Sequence, residues 1–181
     1  MEPSCADPSS KIRQVLQAIR AVVFPVDGVL NGPCMSFDSA GGEIVSVSNR
    51  DVSALKEARR QGLLVAVISD RNPAGFRQLL ESIGVTGMYF GASSPLEAYC
   101  SFLRDQGLDD EACVYIGDDI GDLPVLERVG FPVTPIDGAD YLRNRVGYIS
   151  AYEGGKGCIR EVVEMVLLQQ GNWAYTDWME R

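Results

Sequence analysis

Ile12, Val15, Leu16 and Ile19 fall at i, i+3, i+4 and i+7, which draws one apolar face of a helix opened by Ser9 or Ser10. Ala21 to Val26 is then a continuous apolar run, the mark of a strand buried on both faces. After Asn31-Gly32-Pro33, short β-like segments flank Ala40-Gly41-Gly42, so residues 34–48 read as a hairpin, a flap over the strand end. A helix from about Asp51 to Gln61 leads through Gly62 into a second buried strand, Leu63 to Ile68. Asn72-Pro73 opens a helix with the face Phe76, Leu79, Leu80 and Ile83, which ends near Gly84 before a short strand, Met88-Tyr89-Phe90. Leu96, Tyr99, Cys100 and Leu103 give the next helix, Cys113 to Ile116 the next strand, and Leu123, Val125, Leu126 and Val129 a further helix. A last helix carries Ile159, Val162, Val163, Val166 and Leu167 and stops at Gly171; residues 171–181 form a tail with Trp173, Tyr175 and Trp178.

Strand alternating with helix predicts an α/β fold, a doubly wound parallel sheet with helices on both faces and a polar site at the carboxyl ends of the strands. The 181 residues suit one core, so 1–181 reads as a single domain, with an N-terminal helix in 1–19, the flap in 34–48 and the tail in 171–181.

Charge and composition narrow the classes. A net charge of −9 argues against nucleic acid and anionic membrane surfaces, both of which demand a basic footprint. No apolar run approaches the ~18 residues of a membrane span, and the first residues lack the pattern of a secretory signal, so a soluble, cytoplasmic protein is expected. Cys5, Cys34, Cys100, Cys113 and Cys158 are scattered, as reduced structural thiols would be. The chain has no histidine, which removes imidazole bases and the commonest zinc ligand. Its chemistry rests on carboxylates, hydroxyls and cations.

These groups gather after strands. Asp27-Gly28 follows the first, Ser69-Asp70-Arg71 the second, and Gly117-Asp118-Asp119-Ile120-Gly121-Asp122 the fourth. Any one Asp suits a turn or an N-cap. Three sets at the mouth of a parallel sheet suit Mg²⁺, a hard cation that takes oxygen ligands and keeps several waters. Gly154-Gly155-Lys156-Gly157 before a helix offers N–H groups to an anion, although its spacing is not that of a P-loop.

Val26-Asp27-Gly28-Val29-Leu30, Asn49-Arg50-Asp51, Ile68-Ser69-Asp70-Arg71, the run Tyr115 to Asp122, and Gly154 to Glu161 occur in the order found in the haloacid dehalogenase (HAD) superfamily. Within it the chain resembles the capless Kdo-8-phosphate phosphatase family, where Kdo is 3-deoxy-D-manno-octulosonate, from about Arg20 to Leu168. It is also similar to the carboxy-terminal domain of acylneuraminate cytidylyltransferases, where the nucleophile pattern is degraded and the domain serves assembly. The resemblance implies a HAD-like sheet with a hairpin flap and no large cap, a Mg²⁺ cofactor, a sugar-acid phosphate ligand and a homotetramer closed by flap and tail. It makes Asp27 the general acid/base with its carbonyl on the metal, Ser69 the phosphate-holding hydroxyl, Asp118 the acidic metal ligand and Asp122 a supporting carboxylate of the same metal site. Asp70, Arg71, Lys156 and Arg160 become candidates for substrate binding or, for the last two, a subunit contact.

Two positions depart from the family. The nucleophilic aspartate is replaced by Pro25 and the phosphate-binding lysine by Pro95. A pyrrolidine ring has no oxygen to attack phosphorus and no cation to hold the transferring group. Ser94-Pro95-Leu96-Glu97 instead reads as an N-cap, an N1 proline and a capping-box Glu. The expectation is an impaired phosphatase with an assembly or regulatory role and a Mg²⁺ site weakened by loss of the first Asp. The alternatives are an active Mg²⁺-dependent sugar-acid phosphatase working by another oxygen, and a binding module without turnover.

Overall fold

The computed structural model describes residues 8–72 and 74–173. Pro73 of the predicted helix opening, Cys5, Tyr175 and Trp178 lie outside them. Cys34, Cys100, Cys113 and Cys158 are free thiols.

In chain order the elements are α1 (Pro8–Ala18), β1 (Ala21–Pro25), the hairpin β2 (Ser36–Phe37) and β3 (Glu43–Ile44), α2 (Asn49–Arg60), β4 (Leu64–Ser69), α3 (Ala74–Ile83), β5 (Gly87–Phe90), α4 (Pro95–Gln106), β6 (Cys113–Ile116), α5 (Leu123–Leu126), β7 (Phe131–Thr134), β8 (Tyr148–Ile149) and α6 (Cys158–Gln169). A six-stranded sheet runs in the order β5-β4-β1-β6-β7-β8, every pair parallel. β1 lies inside it, with Phe24 opposite Val67 and Val23 opposite Tyr115.

Successive residues of a strand point to opposite faces, so the apolar runs feed two cores. Val22 and Phe24 of β1 pack with Leu55 of α2, Leu80 of α3 and Val162 of α6, while Ala21 and Val23 pack with Tyr99 and Phe102 of α4 and Leu126 of α5. This is why the central strands read as unbroken hydrophobic stretches. Pro25 ends β1, where its missing N–H falls at the last rung of the ladder, opposite Ile68.

Caps follow the local sequence. Ser48 Oγ accepts from Arg50 and Asp51 N–H, so α2 starts two residues before the predicted Asp51. Ser94 Oγ accepts from Glu97 N–H with Pro95 at the first helical position, and Gly107 closes α4 at φ 61°. The reciprocal Glu97 arm of the expected capping box is not formed among the described residues. Two further readings change. The helix drawn through Val129 stops at Leu126. β7 and β8 had no sequence prediction, because Pro132 punctuates the first and the second is only Tyr148–Ile149.

Candidate active site

The site grows from the turn after β1. Asp27 keeps extended backbone (φ −74°, ψ 138°), Gly28 swings to φ 75°, and Asn31 N–H reaches back to the Val26 carbonyl at 3.1 Å. Glycine is required at 28 for a second reason. A Cβ there would lie 1.8 Å from Asp118 Oδ2, so its absence lets the Asp118 carboxylate press against the main chain of the turn.

Asp122 holds the Asp118 loop from behind. Its Oδ1 accepts from the buried Tyr115 hydroxyl at 2.6 Å, and its Oδ2 accepts from Asp118 and Asp119 N–H at 2.9 and 3.3 Å. Burial raises its pKa even against those bonds. Asp118 is pushed up to about 7, first by burial and then by Asp122, Asp119 and Asp137. A carboxylate desolvated among carboxylates is the electrostatic condition a divalent cation relieves. The oxygen donors that could hold one are the Asp118 side chain and the Asp27 carbonyl, since both Asp122 oxygens are committed. Among the described residues, no group of three Asp, Glu, Cys or His side chains is placed to ligate a metal.

Arg71 crosses the mouth. Its Nε and Nη2 donate to Asp27 Oδ2 and Oδ1 at 2.9 and 2.6 Å, and Asn31 Nδ2 adds a third bond to Asp27 Oδ1 at 3.1 Å. Its Nη1 donates to both oxygens of Glu43 in the hairpin, at 3.0 and 3.1 Å. These carboxylates raise the guanidinium pKa further, Asp27 foremost. The acids that Arg71 pairs with are thus Asp27 and Glu43. Ser69 Oγ is buried and accepts from Arg71 N–H at 3.1 Å.

A cleft of about 310 Å³ opens between the strand ends. Pro25 and Pro95 both line it, with Asp27, Ser69, Asp70, Asp119 and Asp122. No Lys or Arg is among its described lining residues. Lys156 and Arg160 stand elsewhere: Lys156 is exposed and paired with Glu153, and Arg160 donates to Glu164 at 2.8 Å and covers the buried Trp173 ring at 4.6 Å. Neither of these two cations is among the lining residues of this cleft. Arg160 instead lines a separate groove of about 470 Å³ with Arg50 and Tyr152.

The glycine loop before α6 is no open anion cradle either. Gly154 N–H donates to Asp137, Gly155 N–H to the Val29 carbonyl and Lys156 N–H to the Glu153 carbonyl. Its glycines bring two main chains together: a Cβ on Gly154 would sit 1.9 Å from the Gly28 carbonyl oxygen, and one on Gly155 2.5 Å from Gly32 N. Gly154→Ala is expected to cost roughly 2–4 kcal/mol, read as a lower midpoint in urea unfolding. Asn31, Glu43 and Asp137 had no assigned role in the sequence. Only Asn31, four residues after Asp27, carried a local signal.

No protein-family model matches the chain. It is 31% identical over 169 residues to the 3-deoxy-D-manno-octulosonate 8-phosphate phosphatase of Escherichia coli K12, covering 93% of this chain and 90% of that protein. The chain belongs to the Kdo-8-phosphate phosphatase family of the HAD superfamily. Solved structures of the family superpose closely. The phosphatase from Moraxella catarrhalis, crystallised with magnesium, phosphate and Kdo, matches with a TM-score of 0.88 and 27% identity over 95% of this chain and 99% of that one. The cobalt-bound Haemophilus influenzae phosphatase matches at 0.86 and 30%, over 92% and 98%. In this family member no helix among the described residues is long and apolar enough to cross a membrane.

Proposed function

We propose that this member of the Kdo-8-phosphate phosphatase family has lost covalent phosphoryl transfer and serves as an assembly or regulatory subunit. The observation that carries the reading is that Pro25 and Pro95 line one cleft together with Asp27 and Ser69. In-line displacement at phosphorus takes an oxygen nucleophile at the strand tip, and Pro25 offers none. A positive charge on the transferring oxygens contributes several kcal/mol where water is excluded, and Pro95 supplies none of it. Arg71 does not compensate, because Asp27 and Glu43 already use its donors. Asp70 adds a further negative group to the wall that a phosphate dianion would face.

Asp27 and Ser69 remain as an acid/base and a hydroxyl without a nucleophile to serve. A divalent cation would be held by Asp118 and the Asp27 carbonyl, with waters filling the rest, and would polarise an oxyanion if one were present. Loss of the first carboxylate weakens that site. The ligand class that the cleft descends from is a sugar-acid phosphate. The test is turnover by the unmodified chain. Mg²⁺-dependent phosphate release from Kdo 8-phosphate and from an aryl phosphate should stay at background. Release that vanishes in Asp27→Ala would overturn the proposal.

The assembly role rests on the hairpin. Met35, Phe37 and Ile44 are 57, 58 and 55% exposed, and because Phe37 pairs with Glu43 and Ile44 with Ser36, they set apolar side chains on both faces of a short two-stranded ribbon. We read it, with the tail, as the contact of a homo-oligomer, a tetramer, of single-domain subunits. Trp173 itself packs on its own chain under Arg160, so the hairpin carries the prediction. Phe37→Ser with Ile44→Ser should lower the mass measured by sedimentation equilibrium and leave the circular dichroism spectrum unchanged. An unaltered mass would reject this contact.

A further inference from the structure

The hairpin meets the rest of the fold at one polar point. Every residue from 33 to 46 is exposed, so burial does not anchor it. Asp38 spends its side chain inside the turn, accepting from Ala40 and Gly42 N–H. Among the described residues, Glu43–Arg71 is the one side-chain ion pair or hydrogen bond that ties this ribbon to the body.

The two carboxylates on Arg71 are held differently. Asp27 takes the fork, two nitrogens to two oxygens, the strong and directional arrangement. Glu43 has both oxygens on a single nitrogen, Nη1, at 3.0 and 3.1 Å, a looser grip. Arg71 is thus a guanidinium shared by two acids, and Glu43 is the partner that yields more readily. Its carboxylate also occupies Nη1 of a guanidinium that is bonded to Asp27, a lining residue of the cleft.

We propose that Glu43 is a built-in occupant of Arg71, a latch that fixes the hairpin in place and keeps external oxyanions off the guanidinium. The proposal rests on the reading that the cleft has lost its other phosphate-holding cation. It adds a self-contained block to a site already short of positive charge. The latch is a contact within one chain, so it is read where the proposed subunit contact of the hairpin has been removed.

Glu43→Gln removes the charge and keeps the size of an exposed side chain. Placed in the full chain that carries Phe37→Ser and Ile44→Ser, so that no subunit contact holds the hairpin, it is expected to produce two changes. The ¹⁵N heteronuclear NOE of residues 36–44 falls to the values of a mobile loop, and inorganic phosphate, titrated at constant ionic strength, binds roughly threefold to tenfold more tightly than to the same chain with Glu43 in place. Arg71→Lys in that chain, which has no fork with which to serve two acids, should loosen the same residues without gaining phosphate affinity. Failure of either change in Glu43→Gln, or a hairpin as rigid in Arg71→Lys as with Arg71 in place, would overturn the latch. Neither readout depends on turnover. Hydrolysis by the unmodified chain would therefore sink the impaired-site reading and leave the latch standing, and a rigid Glu43→Gln hairpin would do the reverse.

Discussion

Pro25→Asp combined with Pro95→Lys is expected to turn a chain with background phosphate release into a Mg²⁺-dependent phosphatase, with a gain on the order of 10³-fold or more. Two separate terms are returned. The aspartate supplies an attacking oxygen at the end of β1, two residues before Asp27, where the side chain at 25 already faces the cleft. The lysine supplies the cation for the transferring oxygens, and losing a single such donor typically costs 10²–10³ in rate. Neither change strains the scaffold. Pro25 sits at φ −79° and ψ 165°, backbone that any residue adopts, and aspartate regains an N–H at the strand end. At Pro95 the N1 preference for proline is lost, while the Ser94 cap stays. Pro25→Asp alone should give a smaller gain and Pro95→Lys alone none, because the cation has nothing to assist. Asp27→Ala in the restored chain should remove the activity. Silence of the double variant, folded and saturated with Mg²⁺, would mean that the cleft has diverged beyond these two positions.

The second large effect is on stability and has a defined pH direction. In the metal-free protein Asp118 is raised from 3.8 to about 7, mainly by burial and by Asp122 and Asp119. A group whose folded-state pKa lies above its unfolded one favours folding while protonated, so its contribution is present below about pH 4 and is lost as pH rises to about 7. About three units correspond to no more than roughly 4 kcal/mol. Asp118→Asn should therefore raise the metal-free melting temperature at pH 7.5 by several degrees, given about 2–4 °C per kcal/mol at this size. The gain should shrink toward zero by pH 4.5. Added Mg²⁺ should raise the melting temperature of the unmodified chain at pH 7.5 and leave the Asn variant unmoved. A variant less stable than its parent at pH 7.5 would show that Asp118 is held by favourable partners instead of crowded by acids.

Much of this was legible in the order of residues. Unbroken apolar runs announced β1, β4 and β6, because strands covered on both faces carry no polar alternation. The aspartates after β1 and β6 were visible as candidates, since a parallel sheet brings its strand ends to one edge. β7 was hidden by Pro132, and β8 is too short to show a period. The partners of Arg71 could not be read at all. Asp27 is 44 residues away and Glu43 is 28, and no local rule couples a loop arginine to a hairpin glutamate over such separations. The glycine loop misled for a related reason: its N–H groups look free in sequence and are consumed by Val29, Asp137 and Glu153 in space.

The apposition of Gly154 and Gly155 on residues 28–32 is made by backbone atoms on both sides. Such a joint is indifferent to what the neighbouring side chains become. Reactive groups around it can be exchanged one by one without disturbing the joint on which the strand-end loops are built.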